Sequence, residues 1–381
     1  MKLYKLFESF DIDFNYFKNN GYDVIEINDM NDHSFISNIE NGDAIFVQLD
    51  FIDVINEFVN PDIKLFIVLI LRHEYCNEHR RTAIIENRNA NHSIYFLTTH
   101  IDDNTIQNDL SLAARCLPFS TLFSKNLPRP TNERSKNYNF FNRSVNVRRL
   151  KVFELMKKED VKLENCHYTF GNLLKRSTFG GIKTISDYYN NRKKIYDTIF
   201  DVDLDYVESF KNEFYTLEGG DIENEDSLVA TRGDMLYNDI NLLSLDSYFS
   251  FTIESSGDGD VDLRVTEKTV RSWICKNIFL VLQCRGFNKR LKSLGIETFE
   301  DVFGLEVDWD DCDEIDRINI FYSKLKEFNT KSTEEIKTIF FAYDIQQRLE
   351  KNYNYIKNSF DAINTSKEIE KLMGYENFIL K

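Results

Sequence analysis

Apolar residues in the first hundred positions come as short continuous runs separated by polar stretches. Lys2–Phe7, Asp23–Ile27, Asp43–Leu49, Lys64–Leu71 and Ser93–Thr98 are rich in Ile, Val, Leu and Phe and do not alternate strictly with polar residues. Such runs predict strands buried on both faces. They recur about every 20 to 30 residues, which leaves room for a crossover between each pair and predicts a parallel α/β sheet. In sheets of this kind the ligand crevice lies beyond the carboxyl ends of the strands. Three of those ends carry polar residues: Asp50, then Arg72-His73-Glu74, then His100.

Leu127 to Asn132 holds two of the chain's four prolines among polar residues and reads as a linker. A basic stretch follows, with Arg134, Lys136, Arg143, Arg148, Arg149 and Lys151. Arg149 to Lys158 has helical periodicity, and a second α/β set includes Cys166–Phe170, Tyr248–Ile253 and Ile278–Leu282. Beyond Asp316 the pattern is helical to the end, notably from Ser332 to Ile363. The expected organisation is an N-terminal domain over 1–135, a second over 136–330, and helices over 331–381 that pack back across both. A length of 381 residues suits two cores better than one.

No apolar run approaches the roughly 20 residues of a membrane span. The start of the chain lacks the apolar stretch of a signal peptide, so a cytoplasmic protein is expected, in the host cytoplasm if phage-encoded. Six scattered cysteines without a CxxC pair predict structural thiols, not a metal site or a disulfide framework. A net charge of −16 opposes broad nucleic-acid affinity. Most of that imbalance falls after residue 150, which makes the N-terminal half the better face for an anionic acceptor. Few prolines with abundant Phe, Tyr, Asn, Lys and Ile accompany AT-rich coding, as in many phages.

Candidate chemistry concentrates at Ser247 to Ser256 and Val265 to Thr269. A buried strand ends at Glu254, a Gly/Asp-rich loop follows, and Thr266-Glu267-Lys268 opens an amphipathic segment. Thr266 is a suitable N-cap, and free N–H groups at a helix start favour phosphate. Lys268 adds a cation there, and Glu254 or Glu267 could accept hydrogen bonds from ribose hydroxyls. A capped helix with surface charges explains the same residues.

The stretch resembles the donor-binding region of fucosyltransferase-like enzymes, an apolar strand, Glu-x-Ser, a short loop and Thr-Glu-Lys. It is still more similar to a group of phage and bacterial glycosyltransferase-like proteins. Those continue with an apolar strand, a Gly loop, Leu-x-x-Leu-Gly-x-x-Thr-Phe, acidic residues and Arg-Ile. Here the matching residues are Ile278–Leu282, Arg285-Gly286, Leu291 to Phe299, Asp308 to Asp316 and Arg317-Ile318. Asn142-Arg143 with Arg148-Arg149-Leu150 is similar to the arginine element that opens the group's second domain. Position 146 is Asn and position 148 Arg, where the group often shows Arg and His.

The resemblance implies a GT-B-like architecture, two Rossmann-like domains facing across a cleft. It implies a glycosyltransferase using a nucleotide-diphosphate sugar as co-substrate, inverting, with no metal or other cofactor. By motif match, Arg149, Arg143, Glu254, Thr266, Glu267 and Lys268 fall at the donor. Arg149 and Lys268 would stabilise the departing diphosphate while the anomeric carbon passes through an oxocarbenium-like state. A base from the N-terminal domain would deprotonate the acceptor hydroxyl, with Glu74 the first candidate, Asp50 the second, and His73 or His100 behind them. A hydroxymethylated base in phage DNA is one acceptor compatible with this reading, and a surface glycan is the other. A third alternative is a non-catalytic phage protein that keeps the fold.

Asp258, Asp260 and Asp262 have the spacing that opens a calcium loop, but Leu263 and Thr269 stand where that loop needs Gly and Glu. Asp308 to Asp316 reads as a solvated loop and helix start. HxxxH, HExxH and Gly-x-Ser-x-Gly are all absent, which counts against a zinc site and a serine hydrolase.

Overall fold

A computed structural model describes residues 1–6, 12–27, 33–48, 52, 55, 57, 59–71, 91–98, 112–116, 133–142, 146–170, 189–190, 201–210, 243–254, 265–359 and 362–374. The architecture is α/β, with two parallel sheets flanked by helices and a helical C-terminal stretch. The described helices are α1 (Phe14–Asn19), α2 (Val147–Lys158), α3 (Leu204–Ser209), α4 (Glu267–Ile274), α5 (Phe287–Ser293), α6 (Glu314–Asn329), α7 (Thr333–Phe340), α8 (Tyr343–Ser359) and α9 (Ala362–Gly374). Among the described residues no helix is long and apolar enough to cross a membrane. Two compact units divide the chain: Met1–Ser124 with Lys357–Lys381, and Lys125–Ile356.

Unit 1 contains β1 (Lys2–Lys5), β2 (Asp23–Glu26), β3 (Ala44–Gln48), β4 (Leu65–Leu71), β5 (His92–Thr98) and β6 (Leu112–Cys116). Their order is β2-β1-β3-β4-β5-β6, with every pairing parallel. Successive residues of one strand face opposite layers, and continuous apolar runs fill both. Ile45, Val47, Ile67 and Leu69 pack with Phe35, Ile39, Ile52 and Ile55 on one face. Phe46, Phe66, Val68 and Tyr95 pack with Phe14, Phe17, Ile369 and Met373 on the other.

The second layer joins residues far apart in sequence. Asp13 caps α1 by accepting from the Asn15 and Tyr16 amides at 3.0 and 3.3 Å, while its own N–H donates to Ser366 Oγ at 2.9 Å. Tyr16 and Tyr95 donate their hydroxyl protons to Glu370 and Glu368 on α9.

His92, at the start of β5, is 1% exposed, and neither ring nitrogen has a hydrogen-bond partner. Burial holds its imidazole well below the ordinary value, at about 4 against 6.5. Between those values the unfolded chain binds a proton that the folded chain refuses. Stability is therefore complete above pH 6.5 and falls as pH drops toward 4, by about 2–3 kcal/mol from this residue. His92→Leu should flatten that part of the acid limb in urea denaturation followed against pH. Parallel curves for the variant and the parent would refute the assignment.

Unit 2 contains β7 (Lys136–Asn142), β8 (Cys166–Phe170), β9 (Ser247–Ile253) and β10 (Ile278–Leu282), in the order β10-β9-β7-β8 and all parallel. From β7 the chain passes through α2 to β8 on one side, and β9 later pairs on the other side. The order thus reverses between β7 and β9, and doubly wound sheets hold their ligands beyond the strand ends at such a point. One sheet face is aromatic: Tyr138 meets Phe251 edge-on at 5.4 Å, and Phe140 meets Phe321 of α6 at 6.2 Å. Buried polar residues lie on the other face, where Ser250 Oγ donates to Asn139 Oδ1 at 2.9 Å.

The helical stretch expected from Ser332 to Ile363 is broken after Phe340. Helix α7 opens with a capping box between Ser332 and Glu335, and α8 begins anew at Tyr343.

Candidate functional site

Helix α2 starts at the carboxyl edge of the unit 2 sheet because Asn146 caps it. The Asn146 Oδ1 accepts from the Arg149 amide at 2.8 Å, and its Nδ2 donates to the Glu254 carbonyl at 2.6 Å. One side chain therefore caps the start of a helix and ties it to the end of β9. Arginine, which the similar group often carries here, has no acceptor and could not cap in this way.

Arg149 continues the same attachment. Its Nε donates to the Ile253 carbonyl at 3.1 Å, and Nη2 reaches the same oxygen. Glu254 comes next, fully buried, and its carboxyl oxygens accept from the Thr266 amide at 3.2 Å and from the Thr266 and Thr269 hydroxyls. Thr266 is the N-cap of α4 and accepts from the Lys268 amide at 3.4 Å. The end of β9 is thus a shared anchor for the first turns of α2 and α4.

Glu254 lies at the positive end of α4, where a carboxylate is stabilised, and it already engages the N-cap amide that an anion would otherwise seek. Lys268, in the first turn of α4, is 9% exposed. Arg149, 2% exposed, addresses the Ile253 carbonyl. Arg148 is fully buried and donates to Glu314 Oε1 at 2.6 Å and Gln283 Oε1 at 3.1 Å, joining α2 to α6 and to the end of β10.

Arg143, Asp50, Glu74, His73 and His100 lie outside the described residues, as does the acidic loop from Asp258 to Asp262. Glu267 opens α4, but its side chain is likewise outside the description.

Among the described residues of the basic stretch, Arg134, Arg148 and Arg149 are buried. Arg134 is 6% exposed and donates to the carbonyls of Ser247, Cys275 and Lys276, with its guanidinium 4.5 Å from the centre of the Phe340 ring. Burial lowers its pKa to about 10. Lys151 pairs with Glu154 at 2.9 Å. Sequence periodicity alone does not distinguish an arginine that clamps carbonyls from one that meets phosphate.

Other motif residues serve the fold. Gly295, at φ +85°, stops α5 with its N–H on the Lys292 carbonyl at 2.9 Å, and the Ile296 N–H returns to the Leu291 carbonyl at 3.1 Å. Leu291, Ile296 and Phe299 are buried. The expected solvated loop at Asp308 to Asp316 holds two buried residues, Trp309 and Asp310, each 3% exposed, and Asp310 accepts from the Asn288 amide at 2.6 Å. Burial raises its pKa to about 6. Asp310 caps α5, where the N-cap residue Gly286 has no side chain to do so. Cys166, Cys275 and Cys284 are buried, and burial pushes the Cys275 thiol up to about 12. Among the described residues no cluster of His, Cys, Asp and Glu could hold a metal ion. No family model matches the chain, and no curated protein matches it.

Proposed function

We propose that the protein is a glycosyltransferase that moves a sugar from a nucleotide-diphosphate donor to an acceptor hydroxyl, with unit 2 holding the donor. The observation that carries the reading is the reversal of strand order between β7 and β9, with the capped start of α2 and Arg149 at the end of β9. Doubly wound sheets take nucleotides at such a point, and a helix start favours a diphosphate. The similarity of the Glu254 to Lys268 stretch to the donor region of fucosyltransferase-like enzymes supplies the sugar-transfer part. On this reading Lys268 faces the leaving diphosphate, and the acceptor base comes from the N-terminal half, with Glu74 and Asp50 its candidates.

A thermal-shift panel of nucleoside diphosphates and nucleotide sugars tests the site. Ligand at about a hundred times its Kd adds about 2.7 kcal/mol to the folded state, enough to raise the unfolding temperature by several degrees. Lys268→Ala should weaken the best ligand about tenfold through loss of one charge-assisted contact, and Glu267→Ala should also weaken it. Unchanged affinity in both variants would remove the donor assignment.

Burial of Arg134, Arg148 and Arg149 withdraws the support their charges gave to a DNA acceptor. A hydroxymethylated base in phage DNA and a glycan hydroxyl both remain compatible with the chemistry. Steep salt dependence of DNA binding would favour the first. One observation favours a second reading: Glu254 and Arg149 are both engaged by the protein itself. A protein that keeps the fold without turnover would consume no nucleotide sugar with either acceptor.

A further inference from the structure

Asn142 closes β7 at the carboxyl edge of the sheet. Its side chain is 2% exposed, and neither Nδ2 nor Oδ1 has a hydrogen-bond partner, although its backbone N–H donates to Thr169 Oγ1 at 3.1 Å. A buried amide with both ends unmet opposes folding, and native proteins retain few such groups.

The strand fixes where this amide lies. Tyr138 and Phe140 face α6: the Tyr138 hydroxyl donates to Asn329 Oδ1 at 2.6 Å, and the Phe140 ring meets Phe321. Side chains alternate, so Asn142 belongs to that same face. Continuing the register of Tyr138 with Phe249 and Phe140 with Phe251 brings Asn142 level with Ile253. The Ile253 carbonyl is the one Arg149 holds from the first turn of α2, and Arg148 of that turn bonds Glu314 at the start of α6. Asn142 therefore stands at the reversal of strand order, beside the capped start of a twelve-residue helix.

We infer that Asn142 is a recognition residue of the nucleotide site and that it takes a hydroxyl-bearing group, the sugar part of the bound nucleotide. This rests on the reading of unit 2 as the donor-holding unit. An amide whose donor and acceptor are both unmet is satisfied by a group that offers both. A phosphate would meet Nδ2 and leave Oδ1 against an anion. A hydroxyl, or a pair of neighbouring hydroxyls, meets both atoms. Two sources supply that chemistry: the ribose of the nucleotide and the sugar to be transferred.

Binding and stability should move in opposite directions. In Asn142→Leu, affinity for uridine or guanosine diphosphate or their sugar conjugates falls about tenfold, whereas the unliganded protein melts no lower than the parent and up to about 4 °C higher. Asn142→Ala, which cannot overpack the site, shows the same loss of affinity. A ribose contact makes the 2′-deoxy diphosphate weak in the parent and indifferent to the variants. A contact to the transferred sugar makes only the nucleotide sugar sensitive. Affinity within about twofold of the parent in both variants overturns the inference and leaves the donor site standing. A fall in melting temperature beyond about 5 °C in both variants overturns it too, because the amide would then serve the fold. If the parent binds none of these ligands, the reading of unit 2 falls and takes the inference with it.

Discussion

Glu254→Ala is expected to be the most damaging single substitution at the edge of the unit 2 sheet. The carboxyl group accepts from one amide and two hydroxyls, all in a fully buried setting. Truncation leaves those three donors without an acceptor and removes the group that sits at the start of α4. Loss of one partner from a buried polar network costs about 3–5 kcal/mol. Glu254→Gln keeps the shape, offers one acceptor instead of two, and should lose about half as much. Chemical denaturation of the three proteins reads this directly. A loss below about 1 kcal/mol for Glu254→Ala would show that the contacts are not made in solution. The experiment also separates two roles, because a ribose-binding carboxylate would lose affinity while keeping stability.

Arg134→Ala should cost nearly as much, about 3–4 kcal/mol, and Arg134→Lys should recover little of it. Its planar guanidinium spans three carbonyls from two segments, those of Ser247, Cys275 and Lys276, and lies over Phe340. A lysine brings a single point charge and no flat face, so it cannot bridge the same set. Urea denaturation of both variants is the check. Full recovery by lysine would mean that charge alone matters here and that the fork geometry does not.

The strands of unit 1 were legible because burial on both faces writes itself as unbroken runs of Ile, Val, Leu and Phe. β3, β4 and β5 each fall within a residue of the expected segment. β7 was not legible as a strand. Its sequence Lys-Asn-Tyr-Asn-Phe-Phe-Asn mixes aromatic residues with asparagines, which are poor strand formers, yet Asn137 and Asn139 are buried on the polar face and Asn142 is buried on the aromatic one. A sheet centre with one polar face lacks the signal that continuous hydrophobicity gives. β6, Leu-Ala-Ala-Arg-Cys, is too short and too alanine-rich to stand out.

The site was legible in part. Thr266 as N-cap and the strand ending at Glu254 follow from residue type and position, and both are present. That Glu254 would turn inward to α4 depends on contacts across a loop, 12 and 15 residues on, and that Arg149 would turn to a carbonyl of β9 depends on a pairing 104 residues apart. Local pattern carries no information on such pairings. Asn146 shows the same limit: the sequence marks it only as a departure from the similar group, whereas in place it is the cap that seats α2.

The packing of Ile369 and Met373 against Phe14 and Phe17 has a consequence in time. Synthesis proceeds from the N-terminus, so β1 to β5 emerge long before the helix that closes their second layer. Until residue 373 has left the ribosome, one side of that layer stays open, while every strand of unit 2 is already available to pair. The first unit to be translated is thus the last to be able to complete its interior.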